Sequence, residues 1–168
     1  MAAYIRKLGT LKNIDNIRGA QNIEDVPADA VTSEFRTKNN TLSIWRVADK
    51  AAPEHGILAI ALSSSVIEAM DFVLFDEDAV NDEGLSAIRT DPGKNPYLCA
   101  AGRHFDISDM RLRSLSSLCL IYKNKSCIIK KTKKELRDLI ETAYDKGRID
   151  LEAANDGIRK DLKKFGIA

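Results

Sequence analysis

Residues 41–47 read TLSIWRV, and residues 72–75 read FVLF. Both runs are rich in β-branched and aromatic side chains, and a turn-forming segment at 37–40 precedes the first of them. The pattern therefore predicts a β-strand at each run. A third apolar run, ILAIAL at 57–62, is typical of a strand buried on both faces, although periodicity alone does not separate it from a buried helix.

Towards the C-terminus the apolar residues recur at helical spacing. A helix is predicted from about Ser108, followed by a short strand at 127–129. Thr132 and Glu135 stand in the capping-box pattern, which predicts that a helix begins there and ends before Gly147. A final helix is predicted from Asp150, so the chain should end in a basic helical hairpin.

Alternation of strands and helices indicates an α/β (or α+β) fold, with a small mixed or largely parallel sheet flanked by helices. The 168 residues fit a single domain. Within it we distinguish a weakly patterned N-terminal segment (1–40), an α/β core (41–130) and the C-terminal hairpin (131–168). The N-terminal segment contains one hint of a short helix, between Ile5 and Ile14.

The composition excludes several classes of protein. There are 26 basic and 25 acidic residues, so a net charge of +1 gives no bulk attraction to nucleic acid or membrane. The three cysteines are an odd number without C-x-x-C spacing, which argues against a disulfide framework or a zinc knuckle. No apolar leader is present, and the apolar stretch 56–62 is too short to cross a bilayer. We therefore expect a cytoplasmic protein with no membrane partner.

The sequence contains few residues in arrangements typical of catalysis. No nucleotide-cradling, zinc-hydrolase or EF-hand pattern occurs, so no cofactor is expected. The carboxylates directly after the FVLF strand would lie at a strand end, where they could coordinate a divalent metal together with His104. Helix capping is the favoured interpretation of these carboxylates. His104 is also a weak candidate for a general base, and His55 is expected to be solvated. The candidate metal ligands are Asp76, Asp78, His104 and Asp106.

The charges are distributed unevenly along the chain. Residues 123–134 contain six lysines and no acid, whereas residues 71–91 contain seven carboxylates and one arginine. A basic stretch of this kind is suited to an acidic protein surface or to phosphates, the alternative being a solvated face. The single tryptophan is either a core residue or an interface anchor. The candidate partner-binding residues are Trp45, Lys123, Lys125, Lys130, Lys131, Lys133, Lys134 and Arg137.

These observations favour binding over catalysis. The leading hypothesis is a non-catalytic protein-interaction module, an accessory, adaptor or neutralising subunit of a bacterial multi-protein complex whose partner is another protein. One alternative is a nucleic-acid-binding accessory protein that uses the basic hairpin. A second alternative is a metal-dependent hydrolase or phosphotransfer enzyme built on the acidic strand end.

Overall fold

The computed structural model describes residues 1–167 and contains one six-stranded sheet between two layers of helices. The strand order is β4-β5-β2-β1-β3-β6, and all five pairings are antiparallel. The α/β class and the flanking helices are confirmed. The strands are β1 (Ala3–Lys7), β2 (Leu42–Val47), β3 (Met70–Asp76), β4 (Ala87–Arg89), β5 (His104–Ile107) and β6 (Ser126–Lys131).

The expected parallel pairs do not occur in residues 1–167, and the position of β1 explains why. The strands β2 and β3 each pair antiparallel with β1, so they run parallel to each other but are separated by it. The helix α3 (Glu54–Ser63) connects them as in a crossover unit. The N-terminal segment thus supplies a central strand of the sheet and not a peripheral extension.

The predicted helix between Ile5 and Ile14 is wrong in its first half. Ala3, Tyr4 and Ile5 are at most 3% exposed because β1 is covered on both faces. The helix α1 (Leu11–Gly19) starts only after Thr10, whose side chain accepts a hydrogen bond from the Asn13 amide. A 3-10 turn at 23–25 and the helix α2 (Ala28–Glu34) complete this segment.

The run ILAIAL forms part of α3, so the strand prediction is wrong there. Every residue from 56 to 62 is buried. A helix that is covered on all sides has no polar face, and its sequence therefore lacks the helical period. A methyl group added at Gly56 would lie 2.3 Å from Ile5 Cγ2 and 2.9 Å from Val47 Cγ1, so the helix packs closely on the sheet. The segment 64–69, which follows α3, contains no helix.

The second half of the chain follows the prediction more closely. The short helix α4 (Glu77–Asp82) comes directly after β3, as predicted. The strand β4 and a 3-10 turn at 98–100 lie within the long loop 86–103. The remaining helices are α5 (Leu112–Asn124), α6 (Lys133–Asp145) and α7 (Asp156–Lys164).

The bounds of the last two helices follow from their caps. Thr132 Oγ1 accepts from the Glu135 amide at 3.2 Å, and the Glu135 carboxylate accepts from the Thr132 amide at 2.8 Å, which is the predicted capping box. The last helix begins six residues after the predicted Asp150, because the side chain of Asn155 accepts from the Ile158 amide and caps α7 there.

Each face of the sheet has its own hydrophobic core. Side chains alternate along a strand, so β1 directs Ile5 to one face and Tyr4 to the other. The helices α3, α6 and α7 cover the first face, together with the loop that contains Tyr97. The helices α1, α2, α4 and α5 cover the second face. The C-terminal helices and the long loop therefore lie on the same side of the molecule.

Candidate functional site

The acidic strand end after β3 is neutralised by neighbouring cations. Lys50 Nζ lies 2.7 Å from Asp76 Oδ2. Arg46 of β2 donates to both carboxylate oxygens of Glu77, with a shortest distance of 2.8 Å, and the Tyr4 hydroxyl donates to Glu77 at 3.1 Å. The hydrogen bonds from Arg46 lower the pKa of Glu77. Asp76 and Glu77 therefore both form ion pairs within the chain.

His104 is a buried residue of β5. Its side chain is packed edge-on against Trp45, with ring centroids 4.9 Å apart, and Nδ1 lies 2.7 Å from the Thr90 hydroxyl. Burial lowers the pKa of His104, and the charges of Asp106 and Asp91 oppose this only in part. Within residues 1–167, no three His, Cys, Asp or Glu side chains form a group that could hold a metal ion. The structure therefore does not bring together the four predicted ligands Asp76, Asp78, His104 and Asp106.

Trp45 is part of the core beneath α3. It is 6% exposed and packs on the same sheet face as Ile5 and Val47. An interface anchor inserts its side chain into a partner. Trp45 is not placed to do so, because its ring is covered within its own chain.

The first lysines of the basic stretch make intramolecular bonds. Lys123 Nζ donates to the carbonyls of Ala20 and Gln21, just past the end of α1. Lys125 Nζ lies 3.2 Å from Asp82 at the end of α4. Both lysines therefore act within the fold, on the sheet face covered by α1 and α4.

The lysines of β6 are divided between the two faces of the sheet. Lys130 lies on the same face of the sheet as Ile128, which packs with α5. Lys131 lies on the opposite face with Ile129, which packs with α6. Lys131 pairs with Glu135 at 3.8 Å. The predicted basic stretch is therefore not one continuous surface.

A compact basic surface is formed instead where α6 begins and α7 ends. Phe165 follows α7, and its ring lies 5.8 Å from Lys133 Nζ and 5.4 Å from Arg137 Cζ. Arg137 also donates to the Phe165 carbonyl at 3.2 Å. These contacts hold the last turn of α7 beside the first turn of α6. We name this surface the basic corner; it consists of Lys131, Lys133, Lys134, Arg137, Lys163 and Lys164.

The basic corner has more cations than carboxylates. Glu135 pairs with Lys131, Glu141 with Arg137 and Asp161 with Lys164. Within the described chain the other three cations make no ion pair, and all three are exposed. These are Lys133, Lys134 and Lys163.

A second polar cluster, missed by the sequence analysis, lies at the opposite end of α6. The Tyr97 hydroxyl is 2.6 Å from His55 Nδ1. The Leu98 amide donates to the Arg148 carbonyl at 2.9 Å, which fixes Arg148 beside Tyr97. Burial lowers the pKa of His55, and the charges of Arg103 and Arg148 lower it further. The only signal in the sequence is the length of the loop that carries Tyr97.

No family model, curated protein or solved structure matches this chain.

The chemistry of the chain itself therefore has to indicate its function. Among the helices of residues 1–167, none combines the length and the apolar character needed to cross a membrane. The basic corner offers exposed ammonium groups on a rigid support, which suits an acidic surface. The cluster around Tyr97 offers an imidazole, one guanidinium and one ammonium group around a cavity, which suits a small ligand.

Proposed function

We propose that this chain is a non-catalytic protein-interaction module, an accessory or neutralising subunit of a bacterial multi-protein complex, which docks its basic corner on an acidic surface of another protein. The observation that supports the proposal is the contact of Phe165 with Lys133 and Arg137. It fixes the two helices that carry cations of the basic corner relative to each other before any partner is bound.

Fixed, unpaired charges favour specific association. Lys133, Lys134 and Lys163 have no carboxylate within ion-pair distance in the described chain, so an acidic partner would give each of them a counter-charge. Complementary charge raises the rate of encounter and sets the orientation of the two proteins. Since the net charge of the chain is only +1, the attraction is local to this surface.

The surface is better suited to a protein than to nucleic acid. Glu135 is exposed and Glu141 is half-buried among the cations, where both would repel a phosphate backbone. The aromatic ring at the corner, Phe165, already packs against Lys133 and Arg137 and is half-buried, so it is not free to stack on a base.

The test begins with the protein that co-purifies with the full chain from its native host. The triple variant Lys133→Glu, Lys134→Glu, Lys163→Glu reverses the unpaired charges of the corner. The matched control, Lys12→Glu, Lys38→Glu, Arg113→Glu, reverses the same number of exposed charges elsewhere. Affinity for the purified partner is measured by calorimetry at low and high salt, and thermal melting verifies that both variants fold.

We expect the corner variant to lose at least about tenfold in affinity while the control stays within about threefold, because only the corner meets opposite charge. Wild-type affinity should fall as salt is raised. Equal affinity of the corner variant and the wild type would overturn the proposal. A gel shift with duplex or single-stranded nucleic acid that disappears in the corner variant would also overturn it, in favour of the nucleic-acid alternative.

A further inference from the structure

A cavity of about 250 Å³ lies between α3, α6 and the loop that carries Tyr97. It is separate from the basic corner, because it adjoins the C-terminal end of α6 and the corner adjoins the N-terminal end. A helix of 13 residues spans roughly 20 Å. The cavity is smaller than the pockets that enclose drug-sized ligands, so its ligand has on the order of ten non-hydrogen atoms.

The rim of the cavity is positively charged. Lys146 and Arg148 line it, and neither forms an ion pair with a carboxylate in residues 1–167. Glu54 is the one carboxylate among the described lining residues. Two cations and one anion leave a single positive charge, which a monoanion would balance.

The imidazole of His55 adds a neutral hydrogen-bond donor. Burial raises the pKa of Tyr97 to about 12, with a further contribution from Cys99, so its hydroxyl keeps its proton at neutral pH. That hydroxyl lies 2.6 Å from His55 Nδ1, and the two groups share one hydrogen bond. In the tautomer in which the hydroxyl donates, the proton of the neutral imidazole is on Nε2.

The floor of the cavity is apolar. Leu58 of α3 and Leu139 and Ala143 of α6 line it, and all three belong to or pack against the core on this face of the sheet. A ligand that fills the cavity therefore combines a charged group at the rim with a short hydrocarbon part above the floor.

We propose that this cavity is a binding site for a small monocarboxylate, whose carboxylate is held by Arg148 and Lys146 and whose hydrocarbon part packs on Leu58 and Leu139. The guanidinium of Arg148 can meet both carboxylate oxygens at once. The hydrogen bond to Tyr97 orients His55, and when the hydroxyl is the donor, Nε2–H is available as a further donor to the ligand.

Nuclear magnetic resonance of the two histidines tests this proposal on the full chain. The probes are butyrate, 3-methylbutyrate and benzoate, with butyramide as the uncharged analogue and inorganic phosphate as the alternative anion. The His55→Gln variant assigns the two imidazole signals. We expect at least one carboxylate probe to give a saturable shift of the His55 signal and to raise the pKa of His55, because a bound anion stabilises the imidazolium. The signal of His104, which does not line the cavity, should not shift.

Two variants test the role of the rim. Arg148→Gln and Lys146→Gln remove exposed side chains, so the fold should persist. Each variant should lower the affinity for the carboxylate probe about tenfold. The matched control, Arg113→Gln, removes an exposed arginine of α5 on the other side of the sheet and should have no effect.

The proposal is overturned by any of four results. The first is the absence of a saturable His55 shift with all three carboxylates. The second is equal binding of butyramide and butyrate, which would show that the charge is not recognised. The third is unchanged binding in Arg148→Gln. The fourth is tighter binding of phosphate than of the carboxylates.

Discussion

Arg18 of α1 and Lys123 of α5 cap the carboxyl ends of each other's helices. Arg18 donates to the Tyr122 carbonyl at 3.1 Å and to the Ser126 carbonyl at 2.8 Å, at the end of α5. Lys123 donates to the carbonyls of Ala20 and Gln21, just past α1. The last carbonyls of a helix lack intrahelical donors and carry the negative end of its dipole. Each cation therefore stabilises the helix it faces and joins the two helices.

Lys123→Met should lower the free energy of unfolding by about 1–2 kcal/mol, because it keeps the apolar stem of the side chain and removes the charged donor. Urea denaturation measures this loss. Lys12→Met, which removes an exposed lysine of α1, should change stability by less than about 0.5 kcal/mol. A result in which the two variants are equally stable would show that this cap contributes nothing.

The ion pair between Arg6 and Glu34 is largely buried, and it gives a second prediction. Arg6 Nη1 lies 2.6 Å from Glu34 Oε1, and the Gly9 amide donates to the other oxygen at 2.9 Å. The Glu34 side chain is 0% exposed. Burial raises the pKa of Glu34, and the charge of Arg6 opposes that rise. Arg6→Met leaves the carboxylate buried without its cation, so we expect a loss of about 3–5 kcal/mol.

The neighbouring pair between Lys7 and Glu68 supplies the control. It has a separation of 3.5 Å, and its side chains are 41% and 58% exposed. Lys7→Met should therefore cost less than about 1 kcal/mol. Chemical denaturation of both variants compares the pairs directly, and a similar loss for the two would contradict the importance of burial.

A third prediction concerns the start of α7. A methyl group added at Gly157 would lie 1.9 Å from the Ser65 carbonyl oxygen, which is backbone and cannot move aside without shifting the chain. Gly157→Ala should cost about 1–3 kcal/mol or more. Gly19, in the last turn of α1, has nothing within 4 Å of the same added atom. Gly19→Ala should be neutral or stabilising by up to about 1 kcal/mol. Melting temperatures that fall equally in both variants would refute this assignment of close packing.

The histidines should make the fold less stable in mild acid. Burial lowers the pKa of both His55 and His104 from the usual value of 6.5. As the pH falls through 6.5, the unfolded chain therefore binds protons that the folded chain does not, so the free energy of unfolding decreases. Thermal melts between pH 7.5 and 5.5 should show this decrease. The variant His55→Gln, His104→Gln should have a flatter profile, and profiles with the same slope would rule out this linkage.

Some strands and helices were predictable because their apolar residues lie on one side or because turn or capping residues mark their ends. The strands β2 and β3 and the capped helix α6 are examples. The helix α3 was misinterpreted because its burial on all sides removes the polar face that reveals a helix. The strand β1 was missed because Ile5 belongs to a series of apolar residues spaced by three up to Ile14, which favours a helix over a strand.

The functional surfaces were less predictable, because they depend on how the chain is folded back. Lys123 and Lys131 are close in sequence, but the sheet separates them. Lys133 and Phe165 are distant in sequence, and α7 brings them into contact. The pairing of Tyr97 with His55 likewise joins a loop to α3 over a separation of 42 residues. No local sequence pattern indicates these long-range contacts.

The central position of β1 has a consequence for synthesis of the chain. Its two neighbours are residues 42–47 and 70–76, so β1, which is synthesised before both of them, cannot complete its pairing until the chain has reached the end of β3. Until then Tyr4 and Ile5 lack the covering that both helical layers later give them. Fragments that end before residue 70 should therefore remain unfolded, and in them the apolar residues of β1 are exposed to aggregation.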